Sequence, residues 1–132
     1  MAACPSIADE AGMTLSKAWM RSLIPSRPAA GYFTLKNDTD KDRKIVSASS
    51  PDCGMLMLHL SKREGGQDKM AMVDSVDVPP RGSVSFKPGG YHLMCTGPSQ
   101  RVKPGNTVKL TLGFDDGGTL AADFPVRNAK GE

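Results

Sequence analysis

Residues Met55 to Met94 read MLMLHLSKREGGQDKMAMVDSVDVPPRGSVSFKPGGYHLM. In a strand, successive side chains point to opposite faces. The opening MLMLHL therefore sets Leu56, Leu58 and Leu60 on one face, expected to be core, and Met55, Met57 and His59 on the other. Tyr91 to Cys95 (YHLMC) alternates in the same way, with His92 and Met94 on one side and Tyr91, Leu93 and Cys95 on the other. Between these two strands, residues 61–68 contain Gly65-Gly66 and read as a loop. Lys69 to Val73 is a short strand with Met70 and Met72 on one face. Val76 to Pro80 is short and stopped by proline, Gly82 to Lys87 carries Val84 and Phe86 inward, and Pro88-Gly89-Gly90 is a turn. Short strands and frequent turns with no sustained helical period make this an all-β chain.

The flanks continue the pattern. Thr14 to Leu23 (TLSKAWMRSL) reads as an edge strand or a short helix, with Trp19 as a core anchor and Met20 as core. Gly31 to Lys36 (GYFTLK) has strand composition. The mixed-charge run Lys36 to Lys44 (KNDTDKDRK) reads as a solvated turn, with Lys44 to Ser50 (KIVSASS) as the returning strand of a hairpin. Thr107 to Phe114 (TVKLTLGF) alternates cleanly, Asp115 to Gly118 (DDGG) signals a hairpin turn, and Thr119 to Val126 follows. This predicts eight or nine strands with turn signals about every 8 to 12 residues, a β-sandwich or barrel. The 132 residues fit one domain, 1–132, with flexible ends over 1–11 and 127–132.

Composition narrows the function. A net charge of +3 with scattered Lys and Arg and 5% aromatic residues gives no basis for nucleic-acid binding. No apolar run approaches the roughly 18 residues that would span a membrane. No signal peptide is visible, although Ala2-Ala3-Cys4 resembles the tail of a bacterial lipoprotein cleavage site. Enzyme motifs are missing: there is no G-x-S-x-G, no Gly-rich phosphate loop and no H-E-x-x-H.

Both histidines of the chain and five of its eight methionines fall within Met55 to Met94. Ten residues separate His59 from Met70, twenty-one separate Met70 from His92, and Met94 follows two positions later. Thioether and imidazole together suit a soft monovalent ion such as copper(I). Calcium and magnesium need oxygen ligands, and zinc favours Cys with His. A blue-copper site would draw on Cys95, which should face away from His92 and Met94.

The spacing H-x10-M-x21-H-x-M, with GYFTLKN at Gly31, KMAMVDSVDVP at Lys69 and FKPGGYHLM at Phe86, resembles the PCuAC family of periplasmic copper chaperones. The resemblance implies a cupredoxin-like Greek-key β-sandwich that binds copper(I), with copper(II) as a second candidate, on His59, Met70, His92 and Met94. It also implies a periplasmic or otherwise extracytoplasmic location and delivery of copper to a protein such as cytochrome c oxidase subunit II or another copper chaperone. Met55, Met57 and Met72 depart from the family pattern and are candidate auxiliary ligands or packing. Cys53 and Cys95 lie beside the two ligand strands; they are either two buried thiols or, in an oxidising compartment, a disulfide tying those strands together. With Cys4 the cysteine count is three, so at least one has no partner within the chain. An adhesion or peptide-binding sandwich with a Met-rich partner surface is the alternative function, and a thiol-disulfide oxidoreductase lacking C-x-x-C is a distant third.

Overall fold

The computed structural model describes residues 8–10, 12–22, 27–64, 66–115 and 117–128. The side chains of 8–10, 62–64 and 67–70 also lie outside the described part. Among the described residues eleven strands are formed: β1 (Ala8–Glu10), β2 (Met13–Arg21), β3 (Ala29–Asn37), β4 (Arg43–Ser49), β5 (Cys53–Glu64), β6 (Gln67–Met72), β7 (Val76–Val78), β8 (Ser83–Phe86), β9 (Tyr91–Pro98), β10 (Thr107–Phe114) and β11 (Thr119–Arg127). Three of them, β1, β7 and β8, have four residues or fewer, which is why the count exceeds the expected eight or nine. No helix long and apolar enough to cross a membrane occurs among the described residues.

The strands form one curled sheet in the order β6-β5-β9-β3-β2-β11-β10-β4-β7, with β1 added to β2 and β8 to β3. Its two halves fold over each other as the layers of a cupredoxin-like sandwich. Phe33 of β3 meets Phe124 of β11 edge-on at 6.0 Å and stacks on Phe86 at 4.3 Å. At Gly31 a Cβ would stand 3.5 Å from Leu110 of β10, so the two layers approach closely there. Leu58, Leu93, Leu35, Ile45, Leu112 and Leu120 fill the space between.

Three expectations are corrected. Lys44 to Ser50 is not the return strand of a hairpin with β3: β4 pairs with β10 and β7 in the opposite layer. The polar run between β3 and β4 is a crossover pinned by Asn37, which is fully buried. Asn37 Nδ2 donates to the carbonyls of Lys41 (2.8 Å) and Val78 (3.1 Å), and its Oδ1 accepts from the Thr39 amide and hydroxyl. Next, β2 is neither an edge nor a helix; it lies between β3 and β11. Finally, Trp19 is not a core anchor. Lys17 has φ 55°, and the β2–β3 register shifts between Ser16 and Trp19. That bulge resets the alternation. Met13, Leu15, Ala18 and Met20 point into the core, and half-buried Trp19 turns to the outer face beside Tyr32 at 4.9 Å.

At the chain's start, Ala8–Glu10 pair with β2 inside the stretch expected to be loose, while residues 1–7 and 11 lie outside the described residues. At the other end Arg127 closes β11, and 129–132 lie outside the described residues.

Candidate metal centre

Three neighbouring strands, β6-β5-β9, carry the candidate ligands. The β5–β9 ladder is antiparallel and pairs Met55 with Thr96, Met57 with Met94, and His59 with His92. Residues directly opposite share a face, with Cα atoms about 4.5 to 5.5 Å apart. The β5–β6 ladder pairs His59 with Met72 and Ser61 with Met70. His59 therefore sits mid-row, with His92 on one side and Met72 on the other. The Met57–Met94 row lies directly alongside.

Met70 pairs through its backbone with Ser61, one diagonal from His59; its side chain lies outside the described residues. The hairpin places Met72, not Met70, directly opposite His59. The strands run to Glu64 and restart at Gln67, so the expected loop over 61–68 shrinks to a tight turn. Gly66, at φ 80°, supplies the left-handed residue that turn needs.

The two imidazoles face each other at 5.6 Å between ring centroids, inclined by 66°. His92 is 3% exposed. Its Nδ1 is 3.2 Å from the Gly90 carbonyl, an acceptor, so Nδ1 carries the hydrogen and Nε2 keeps a free lone pair. This is the arrangement in which a metal-binding histidine is oriented by a backbone carbonyl. Nε2 of His92 and both ring nitrogens of His59 are buried with no protein partner. Burial holds the His92 imidazole below its ordinary range; the hydrogen bond to Gly90 opposes this, and His59 and Arg21 push further down. His92 is thus held neutral, the form that binds a metal.

A cleft of about 200 Å³ opens beside His92 and Met94, lined also by Arg21, Tyr32, Ser61 and Gly89. Arg21 donates to the Tyr32 hydroxyl at 3.0 Å, with its guanidinium 5.5 Å from the Tyr32 ring centre. Burial raises the Tyr32 phenol above its ordinary range, and the charge and hydrogen bond of Arg21 offset part of that rise. Sequence reasoning missed Arg21 and Tyr32 as neighbours of the site, because the Lys17 bulge that brings β2's outer face into line has no signature in the residues around it. Met72 and Met55 are 66% and 57% exposed.

Cys53 and Cys95 form a disulfide with Cα atoms 5.4 Å apart. The ladder pairs Cys53 with Pro98, three positions past Cys95, a distance of about 10 Å in a straight strand. The chain bends to close it at Gly54 and Gly97, whose backbones nearly touch and where Gly97 adopts φ 60°. Cys95 lies on the core face opposite Leu56 and supplies no thiolate to the His/Met face. No cluster of three or more His, Cys, Asp or Glu residues exists among the described residues.

This fold is that of the PCuAC domains. The copper-bound PCuAC domain from PmoF2 superposes with a TM-score of 0.77 at 20% identity, covering 92% of this chain and 97% of that one. Apo-DR1885 from Deinococcus radiodurans, solved in solution, gives 0.68 at 33% identity over 100% of this chain and 90% of its own. The copper(I) form of DR1885 gives 0.67 at 35%, over 83% and 74%. The chain belongs to the family described as "Putative lipoprotein LpqE-like", which matches residues 13–126. It is 29% identical over 121 residues to "Putative lipoprotein Lxx21020" of Leifsonia xyli subsp. xyli, covering 91% of this chain and 72% of that protein. It is 30% identical over 124 residues to protein RP573 of Rickettsia prowazekii, covering 90% and 68%.

Proposed function

We propose that this chain is a non-enzymatic copper(I) carrier of an extracytoplasmic space. In this reading His59, His92 and Met94, with Met70 as a fourth ligand, hold the ion as cargo. It is passed to a copper-accepting protein such as cytochrome c oxidase subunit II or another copper chaperone. The observation that carries the proposal is the facing histidine pair, with three buried ring nitrogens that no protein group satisfies. Leaving a buried polar atom without a partner costs about 1 to 3 kcal/mol. A metal ion would take up one lone pair from each histidine, and Met94 on the adjoining row adds a soft donor.

Similarity to copper-loaded domains supports the choice of metal. The lipoprotein family and the disulfide support an extracytoplasmic location, where such bridges persist. Copper(II) would lean on the imidazoles, since thioethers suit it poorly.

The test is titration with copper(I) under reducing conditions, followed by mass spectrometry and by competition with a copper(I) chelator. One tightly held ion per chain is expected, lost from the His59→Ala/His92→Ala double variant. The loaded protein should also transfer copper to an isolated apo subunit II domain. Absence of copper(I) binding would refute the carrier reading and favour a peptide-binding module with a Met-rich face.

A further inference from the structure

We propose that Met57 and Met72, together with His59, form an outer copper(I) station next to the first site. This rests on the carrier reading above and adds the step by which the ion is handed over.

The two histidines are not equivalent. His92 commits Nδ1 to the Gly90 carbonyl and offers one nitrogen. His59 commits neither, and both of its nitrogens are buried without a protein partner. It also has two flanks, His92 across one ladder and Met72 across the other. The thioethers divide accordingly. Met94 lines the cleft that holds His92. Met57 and Met72 line a different, open cleft with Val46, Leu58, Val73 and Asp74.

That second cleft exists because β6 ends at the His59–Met72 pair. Beyond it one further hydrogen bond, from the Val73 amide to the Leu58 carbonyl at 3.0 Å, closes the ladder. The edge of β5 beside Met57 is then uncovered on the β6 side. Met72 is 66% exposed, so its sulfur is open to an incoming protein. An exposed Met is unremarkable alone. Met72 and half-buried Met57 beside His59 supply one nitrogen and two sulfurs, a set suited to copper(I).

Movement between the stations is ligand exchange. The bonds from copper to His92 and Met94 break as bonds to the Met57 and Met72 sulfurs form, while His59 holds copper through one ring nitrogen throughout and keeps its proton on the other. Copper stays monovalent, no electron moves, and the thioethers release no proton.

The experiment follows methionine methyl signals by NMR while one equivalent of copper(I) is added to the parent. It then measures the rate at which excess bicinchoninate withdraws copper from the singly loaded parent and from Met57→Leu/Met72→Leu. Leu replaces Met at nearly constant volume, so the variant keeps the fold. Exchange of the ion between the stations should shift the Met57 and Met72 methyls along with that of Met94 as this equivalent binds. The variant should hold its first ion within about twofold of the parent's affinity yet release it about tenfold more slowly. Unmoved Met57 and Met72 methyls at one equivalent, or equal release rates, would overturn the outer station while leaving the carrier reading intact. A parent that binds no first equivalent would overturn both.

Discussion

Removing the Cys53–Cys95 bridge should be one of the costliest changes available that leaves the His/Met face untouched. The two cysteines are 42 residues apart in sequence. In the chain-entropy account, closing a loop of that length stabilises the fold by about 4 kcal/mol at 25 °C, by restricting the unfolded chain. For 132 residues the unfolding entropy is about 0.28 kcal/mol per kelvin, so the loss corresponds to about 14 °C in Tm. Replacing fully buried Cys95 by Ala adds a small cavity, which pushes the loss up rather than down. The assay is urea unfolding and calorimetry of Cys53→Ala/Cys95→Ala against the parent, both carrying Cys4→Ser to prevent thiol exchange. Copper(I) affinity of the folded variant should fall less than about tenfold, because the β5–β9 pairing from Met55 to Leu60 does not depend on the bridge. A stability loss under about 1 kcal/mol would refute the loop-closure argument. A collapse in copper affinity would show that the bridge sets the geometry of the site.

Two further outcomes follow from the protonation chemistry. Met70→Leu or Met94→Leu should weaken copper(I) binding both near neutral pH and about two units below it, whereas His59→Ala or His92→Ala should weaken it mainly near neutral pH, since protons compete for imidazole and not for thioether; chelator competition on the four variants checks this, and parent-like affinity in both Met variants would make those methionines packing. The metal-free protein should lose stability as pH falls from above 6.5 through the depressed His92 value, because the unfolded chain takes up that proton before the folded one does; urea midpoints between pH 7.5 and 5 should show a slope that flattens in His92→Gln, and an unchanged slope would remove His92 as its source.

The strands that carry the site were the most legible part of the chain. MLMLHL and YHLMC alternate without interruption, and both keep that alternation in β5 and β9. TVKLTLGF, DDGG and the following strand likewise pair as a hairpin. Legibility failed where a single residue resets the geometry. Asn37 sits in a run that composition marks as solvated, yet it is buried and steers the chain into the other layer. Lys17 occupies a left-handed backbone conformation that nothing in TLSKAWMRSL announces. The polar SKRE following MLMLHL looks like loop, but it continues β5 as an edge hairpin. That longer hairpin sets the register that brings Met72 opposite His59. A sequence spacing such as H-x10-M names the residues and leaves their register open.

The Lys17 bulge also bears on which ion the face can hold. Had β2 kept a regular alternation, Trp19 would have gone inward with Met13 and Leu15. Instead Trp19 sits outside with Tyr32, and Arg21 reaches the cleft of His92 and Met94. The guanidinium is cationic. It already disfavours a proton on His92. The same field opposes a divalent cation about twice as strongly as a monovalent one, since Coulomb energy scales with charge. Among the described residues no carboxylate lines the cleft of His92 and Met94 to offset Arg21. A neutral His92, soft sulfur donors and a fixed positive neighbour all act in one direction, toward a singly charged soft cation. In the carrier reading proposed above, an ion held by neutral ligands beside a like charge is also one that an acceptor with thiolate or imidazole ligands can draw away.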